Sequence, residues 1–229
     1  MADDALEQPW TSPTVADAIH AELRDRILKG VFPPGSLLRQ EELARQFGAS
    51  RVPLREAMSR LEVEGLLLVR PRRGYAVRNL DPVEIVEIFD LRAAVEEHLG
   101  GLAAKARSEH DIERVSDAVA EMERIAADKP NDTSQWLNAN AAFHAALLAA
   151  AHRKHAARFA AMLRDQVEPY IRIEIELTKE VMQAETEHRQ MLEALQKADS
   201  GRLRQLCRKH CENTASRLVA ALDARLSKG

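Results

Sequence analysis

Between Val15 and Val77 the sequence alternates apolar stripes with chain breakers in an order that few folds accept. Val15, Ile19, Leu23, Ile27 and Leu28 recur at helical spacing, and Gly30 ends that run before the VFPPGS turn. A second, short helix is predicted over about 40–47, stopped by Gly48. A third is predicted over about 51–64. Ser50 is its candidate N-cap, Pro53 is tolerated in its first turn, and Gly65 follows its end. Leu66–Val69 and Tyr75–Val77 are short β-type runs separated by a basic Pro-Arg-Arg-Gly turn, which predicts a hairpin. Helix, helix, turn, helix, hairpin is the order of a winged helix-turn-helix, assigned here to residues 11–78.

Charge agrees with that reading. The chain as a whole carries a net −3. Residues 11–78 hold 12 lysines and arginines against 8 carboxylates, whereas residues 79–229 hold 21 against 25. A basic module joined to a weakly acidic one is the electrostatic footprint of a DNA binder. The third helix places Arg51 and Arg55 one turn apart, off its apolar stripe of Leu54, Ala57, Met58 and Leu61. Arginine at the N-terminal part of a recognition helix can fork onto guanine, and the helix N-terminus offers N–H groups to phosphate. The hairpin adds Arg70, Arg72 and Arg73, with Gly74 permitting a close approach to the sugar-phosphate edge.

The run PPGSLLRQEELARQFGASRVPLREAMSRLEVEGLLLVRPRRGYAV resembles the N-terminal domain of the GntR family of bacterial transcription regulators. The resemblance rests on Pro34-Gly35, Glu42-Leu43-Ala44, Ser50-Arg51, Pro53, Arg55-Glu56-Ala57-Met58, Leu61-Glu62, Gly65-Leu66 and Arg73-Gly74 with Val77. Met58 stands where the family usually has Leu. The resemblance implies that Ser50, Arg51, Pro53 and Arg55 lie at operator DNA, and that Arg70, Arg72, Arg73 and Gly74 carry the wing to the backbone or minor groove. One branch of the family has a DNA-contacting arginine in the second helix. The matching position is Glu41, so that contact does not transfer.

From Asp81 onward every segment reads as helix. Asp81, Pro82 and Glu84 form a capped start. Helices are predicted over about 82–106, 111–128, 133–151, 153–167, 170–181, 184–198 and 201–227, with Pro130, Pro169 and the DSG at 199–201 as punctuation. Aromatic residues are only 4% of the chain and there are nine glycines, which favours an antiparallel helical bundle over a sheet. The fold class is therefore mostly α, a winged helix-turn-helix followed by an all-α bundle over 79–229. The acidic start MADDALEQPW has no apolar core of a signal peptide, and no apolar run reaches a membrane span. A cytoplasmic protein with no membrane partner is expected. Cys207 and Cys211, four apart, fit one helix and not a disulfide framework.

The stretch NANAAFHAAL, 138–147, puts Asn140 and His144 on one helical face inside an otherwise apolar run. His188 lies 12 residues before the inferred turn at Ser200 and His210 lies 10 after it. On antiparallel helices those two stand at nearly the same level. Imidazoles with an oxygen ligand suit Zn, Ni, Fe or Mn. A mixed site including Cys207 is conceivable from its spacing to His210. A lone helical histidine is more often surface or core, so His20, His98, His110, His152 and His155 are left without a role.

This arrangement resembles the FCD domain, the effector domain of the fatty-acid-responsive and vanillate-type branch of the GntR family. Its metal-binding members carry D-x-x-F-H, then E-H-x-x-[IL], then a final His. This chain has Asn140-Ala-Ala-Phe143-His144, Glu187-His188-Arg189-Gln190-Met191 and His210, with Arg92 and Glu96 at the domain's usual positions in its opening helix. The resemblance implies a divalent-metal site of Asn140, His144, His188 and His210, with Arg92 pairing the charge of a small organic acid. It also implies a homodimer reading palindromic double-stranded DNA. Asn140 replaces the usual Asp, so the ligand set loses a negative charge. A repressor released by its effector is the leading expectation. A metal-sensing regulator is a second. A metal-dependent hydrolase with an accessory DNA-binding domain is a third, and it lacks an HExxH or nucleophile motif. The chain is not expected to be an enzyme.

Overall fold

The computed structural model describes residues 13–79, 81–128, 132–178 and 182–226. The expected N-terminal tail and the break at Pro130 lie outside the described residues. The chain divides into two compact units, Met1–Asn79 and Leu80–Gly229.

In the first unit the order is α1 (Val15–Leu28), β1 (Leu37–Leu38), α2 (Gln40–Gln46), α3 (Arg51–Val63), β2 (Leu67–Arg70) and β3 (Gly74–Val77). A capping box of Thr14 and Asp17 starts α1. The end of α3 is closed by Gly65 at φ +80, which lets Leu66 N–H reach the Leu61 carbonyl at 2.9 Å and Gly65 N–H reach Glu62 at 2.9 Å. That is a Schellman closure, and a left-handed residue there favours glycine. Leu23, Ile27, Leu54, Met58 and Leu61 make a dry core under the three helices. The sheet has three strands in the order β1-β3-β2, with Leu38 opposite Tyr75 and Arg70 opposite Gly74. The hairpin alone was expected. The added β1 is two residues long and carries no period that a sequence could display.

The second unit holds α4 (Pro82–Ala106), α5 (Glu109–Asp128), α6 (Thr133–Ala149), α7 (Lys154–Thr178), α8 (Met182–Gln196) and α9 (Ser200–Leu226). The Asp81–Glu84 capping box and Pro82 at the first turn start α4 as the sequence indicates. The principal helix contact is α4 on α9, and Gly100 makes it close: a Cβ there would sit 2.6 Å from Cys207 Sγ. One boundary is corrected. Pro169 was expected to separate two helices, yet α7 runs through it. Proline costs a helix interior about 3 kcal/mol or more through its missing N–H and its ring. Buried residues recur on both sides of it, at Ala160, Leu163, Val167, Ile171 and Ile175, at an unbroken helical spacing. Burying Val167, Ile171 and Ile175 is worth about 1.5–3 kcal/mol each, enough to outweigh one proline. Six helices therefore stand where seven were expected, among the described residues.

Candidate functional site

Two groups of side chains carry chemistry, one in each unit. In the first, α3 presents its N-terminal turn to solvent. Arg51 and Arg55 are exposed, and so are Arg70, Arg72 and Arg73 at the hairpin. The hairpin turns tightly because Arg72 and Gly74 take φ of +64 and +90. Ser50 is the N-cap of α3 but makes no side-chain cap bond. The third helical residue is Pro53, which has no N–H to offer, so the hydroxyl stays available. Val52 is 77% exposed between Arg51 and Pro53 in the same turn. An apolar group there can meet a thymine methyl.

In the second unit, α6, α8 and α9 bring His144, His188 and His210 together. Their ring centroids are 4.9–5.2 Å apart, and one ligand-capable atom from each lies within 4.8 Å of the others. All three are buried, His188 completely. Phe143 stacks against His188 with centroids 4.5 Å apart. Neither nitrogen of His188 has a hydrogen-bond partner, and the buried Asn140 Oδ1 has none either. Buried polar atoms are normally satisfied, so this concentration of orphans needs a partner that the protein does not itself supply. A divalent cation fits the donor chemistry: neutral imidazole nitrogens and a carbonyl oxygen.

The surroundings favour the neutral form of His144 and His188, the form a metal needs. Burial pushes the pKa of His144 and His188 well below the ordinary 6.5, helped by the Arg164 guanidinium and by the neighbouring histidines. His210 Nδ1 lies 2.6 Å from Glu187 Oε2. An ionised carboxylate only accepts, so Nδ1 donates, and Nε2 is the nitrogen left to face an ion. Burial works to raise the pKa of Glu187, but hydrogen bonds from His210 and Asn213 hold it below its ordinary value. Such an outer-shell carboxylate fixes the ring and raises its basicity. Glu187 stands in the Glu187-His188 motif of the sequence, but its spacing gave no sign that it would pair with His210.

Beside the histidines is a cavity of about 30 Å³, lined by His144, His210, Arg92, Asn140, Arg164, Arg217 and Glu174 together with apolar Trp136, Ile171 and Ile175. Arg92 is buried and ion-paired to Glu96 at 2.9 Å, and its Nη1 has no partner. Arg164 pairs with Glu168 at 3.2 Å and donates to the backbone carbonyl of Asn140 at 3.2 Å. Arg217 Nη1 is also buried without a partner. Arg164 and Arg217 were not identified from sequence, because only the packing of α7 and α9 turns them inward. Among the described residues, the side chains close enough to share an ion are His144, His188 and His210, without Cys207. Burial pushes both thiols above their ordinary range, so they stay protonated, and Cys207 packs at Gly100 instead.

The depressed histidines fix the sign of an acid response in ion-free protein. Each imidazole takes up a proton below pH 6.5 when unfolded but not when folded. The unfolded state therefore binds more protons below that value, and stability falls as the pH drops from 6.5, by about 1.4 kcal/mol per unit for each imidazole. Urea midpoints at pH 7.5, 6.5 and 5.5 should fall slightly across the first step and more steeply across the second. A midpoint unchanged down to pH 5.5 would show that the two rings are not held neutral.

Residues 15–77 match the family described as bacterial regulatory proteins, gntR family, and residues 87–213 match the FCD domain. The chain is 37% identical over 142 residues to an HTH-type transcriptional regulator in the TAR-I ttuE-ttuC' intergenic region of Agrobacterium vitis, covering 60% of this chain and 80% of that one. It is 30% identical over 197 residues to the HTH-type transcriptional repressor GlaR of Escherichia coli, covering 82% and 88%. Among solved structures, E. coli McbR/YncC superposes with a TM-score of 0.80 at 21% identity, over 90% of this chain and 97% of that one. No helix among the described residues is long and apolar enough to cross a membrane.

Proposed function

Because the chain belongs to the GntR family of bacterial transcription regulators, with a C-terminal FCD domain, we propose that it is a repressor released by a small carboxylate bound at the His144–His188–His210 cluster. That it is a DNA-binding regulator and not an enzyme follows from the family. The effector, the ion and the two-fold dimer are the proposal's own content. The observation that carries it is a set of buried, unpartnered atoms in one place: Asn140 Oδ1, Arg92 Nη1 and Arg217 Nη1 belong to residues that line one cavity, and His188, whose two nitrogens are also unpartnered, packs against the lining His144 and His210.

His144, His188 and His210 would hold the ion, with the Asn140 carbonyl oxygen as a fourth, neutral donor. A bound divalent ion supplies positive charge for a carboxylate. Glu187 keeps His210 oriented, with Nε2 left to face the ion. Arg92 and Arg217 each retain a buried N–H for an anion, and Trp136, Ile171 and Ile175 add apolar surface to the cavity. An effector acts only by binding one conformation of the regulator better than another. In a dimer, the conformation that changes the spacing of the two recognition helices loses the palindrome. The test is a thermal-shift screen of small organic acids with and without Zn, Ni, Fe and Mn salts. Stabilisation by an acid only when metal is present is the expected result, and equal stabilisation without metal would remove the ion from the account.

One observation favours a second reading. A cavity of about 30 Å³ has room for roughly two water molecules, less than an organic acid needs without rearrangement. If the ion alone is the signal, chelator by itself changes DNA affinity and no acid is required.

On the DNA side, Arg51→Ala and Arg55→Ala should each weaken specific binding by about 1–3 kcal/mol, the range for an arginine lost from a base contact. Fluorescence anisotropy with duplex DNA from upstream of the gene measures it. Unchanged affinity in both variants would place recognition elsewhere.

A further inference from the structure

One ion pair sets the DNA face of the first unit apart from an ordinary basic surface. Glu41, the second residue of α2, meets Arg51, the first residue of α3, with Oε1 2.6 Å from Nη2. The two side chains are 74% and 72% exposed. Arg55, Arg70, Arg72 and Arg73 form no ion pair among the described residues, so the acid is directed at a single arginine of the face. An exposed pair of this kind contributes little to folding. Its consequence lies in what the two groups do when DNA arrives.

We propose that Glu41 is a specificity-determining residue. Arg51 takes guanine, while Glu41 takes the exocyclic amino group of an adjacent cytosine or adenine. The inference rests on α3 being the recognition helix. The first turns of α2 and α3 lie side by side, since the two side chains touch, so both face the same groove. The arginine fork has five N–H donors, and Glu41 occupies one of them. Enough remain for guanine O6 and N7. The carboxylate holds the guanidinium in one orientation, so less side-chain freedom is lost on binding and fewer bases are within reach.

Glu41 itself accepts hydrogen bonds and cannot donate them. A phosphate repels it. In the major groove the donors on base edges are cytosine N4 and adenine N6, whereas guanine and the thymine carbonyl present acceptors. A carboxylate at this position is therefore satisfied by two bases and left desolvated and repelled by the others. Discrimination of this kind works by exclusion as well as attraction. It also weakens the general attraction of the face for DNA, because a negative charge stands among phosphate-seeking arginines.

The test is selection of binding sites from a randomised duplex pool by the full chain, as wild type, Glu41→Ala and Glu41→Gln. Anisotropy on the selected duplex and on a random duplex follows. The wild type should select a guanine with an amino-bearing base, cytosine or adenine, beside it in each half-site. Glu41→Ala should lose about ten-fold of the preference at that second position and bind the random duplex more tightly than wild type. Glu41→Gln should move the preference toward adenine, which an amide contacts with two hydrogen bonds. Two results would overturn the proposal. In one, wild type and Glu41→Ala select the same bases with equal discrimination. In the other, Glu41→Ala weakens selected and random duplexes by the same factor, which is what a merely structural residue would do.

Discussion

Glu96→Ala is expected to destabilise the helical unit by about 3–5 kcal/mol, the cost of leaving one member of a buried ion pair without its partner. Arg92 and Glu96 are each only 3% exposed at their side chains and pair at 2.9 Å one helical turn apart on α4. The guanidinium lies over the Phe89 ring, 4.7 Å from its centroid, and its Nη1 is already without a partner. Removing the carboxylate leaves a buried positive charge without its ion-pair partner. The pair as such is not a large source of stability, since an apolar replacement of both members is often neutral or better. Arg92→Met combined with Glu96→Leu should therefore recover most of what Glu96→Ala loses. Urea unfolding followed by circular dichroism gives both values. A Glu96→Ala variant within about 1 kcal/mol of wild type, the range of an exposed pair, would contradict the burial of this site.

Metal removal is the second large effect. An ion that binds only the folded state contributes RT ln(1 + [L]/Kd), about 3–4 kcal/mol when free metal exceeds Kd by a hundred- to a thousand-fold. Chelator should lower the melting temperature of wild type accordingly. His188→Ala should abolish that difference, because it removes a ligand whose nitrogens have no hydrogen-bond partner among the described residues. Asn140→Asp restores a charged oxygen donor and should tighten metal binding. Metal content of each purified protein, read together with melting curves, checks all three statements. A wild-type melting temperature indifferent to chelator and to added metal would rule out a bound ion.

Much of this was legible in the sequence, for reasons that differ by region. The first unit could be read because its helices are short, strongly striped and closed by glycine, so Leu54, Met58 and Leu61 announce a face and Gly65 announces an end. The histidine cluster could be read in part. His188 and His210 flank one turn at similar distances, and the rise of two antiparallel helices places them level without knowledge of the rest of the bundle. The remainder depended on packing order. Arg164, Arg217 and Trp136 sit on stretches whose sequence gives no sign of which helix they will face, and the cavity exists only once α4, α6, α7, α8 and α9 are assembled. Pro169 misled because its local cost is visible in the sequence, while the burial of Val167, Ile171 and Ile175 that offsets it is tertiary. The acid pair of Arg51 was hidden for the same reason: Glu41 and Arg51 are ten residues apart and meet only through the turn between α2 and α3.

The central claim is that the histidine cluster controls DNA binding. It is tested most directly by titrating upstream duplex DNA with the full chain, ion-free or metal-loaded, with and without the acid that gives the largest thermal shift. The account predicts that affinity for DNA falls when acid and metal are present together and stays unchanged with acid in ion-free protein. Equal DNA affinity under all four conditions would contradict it.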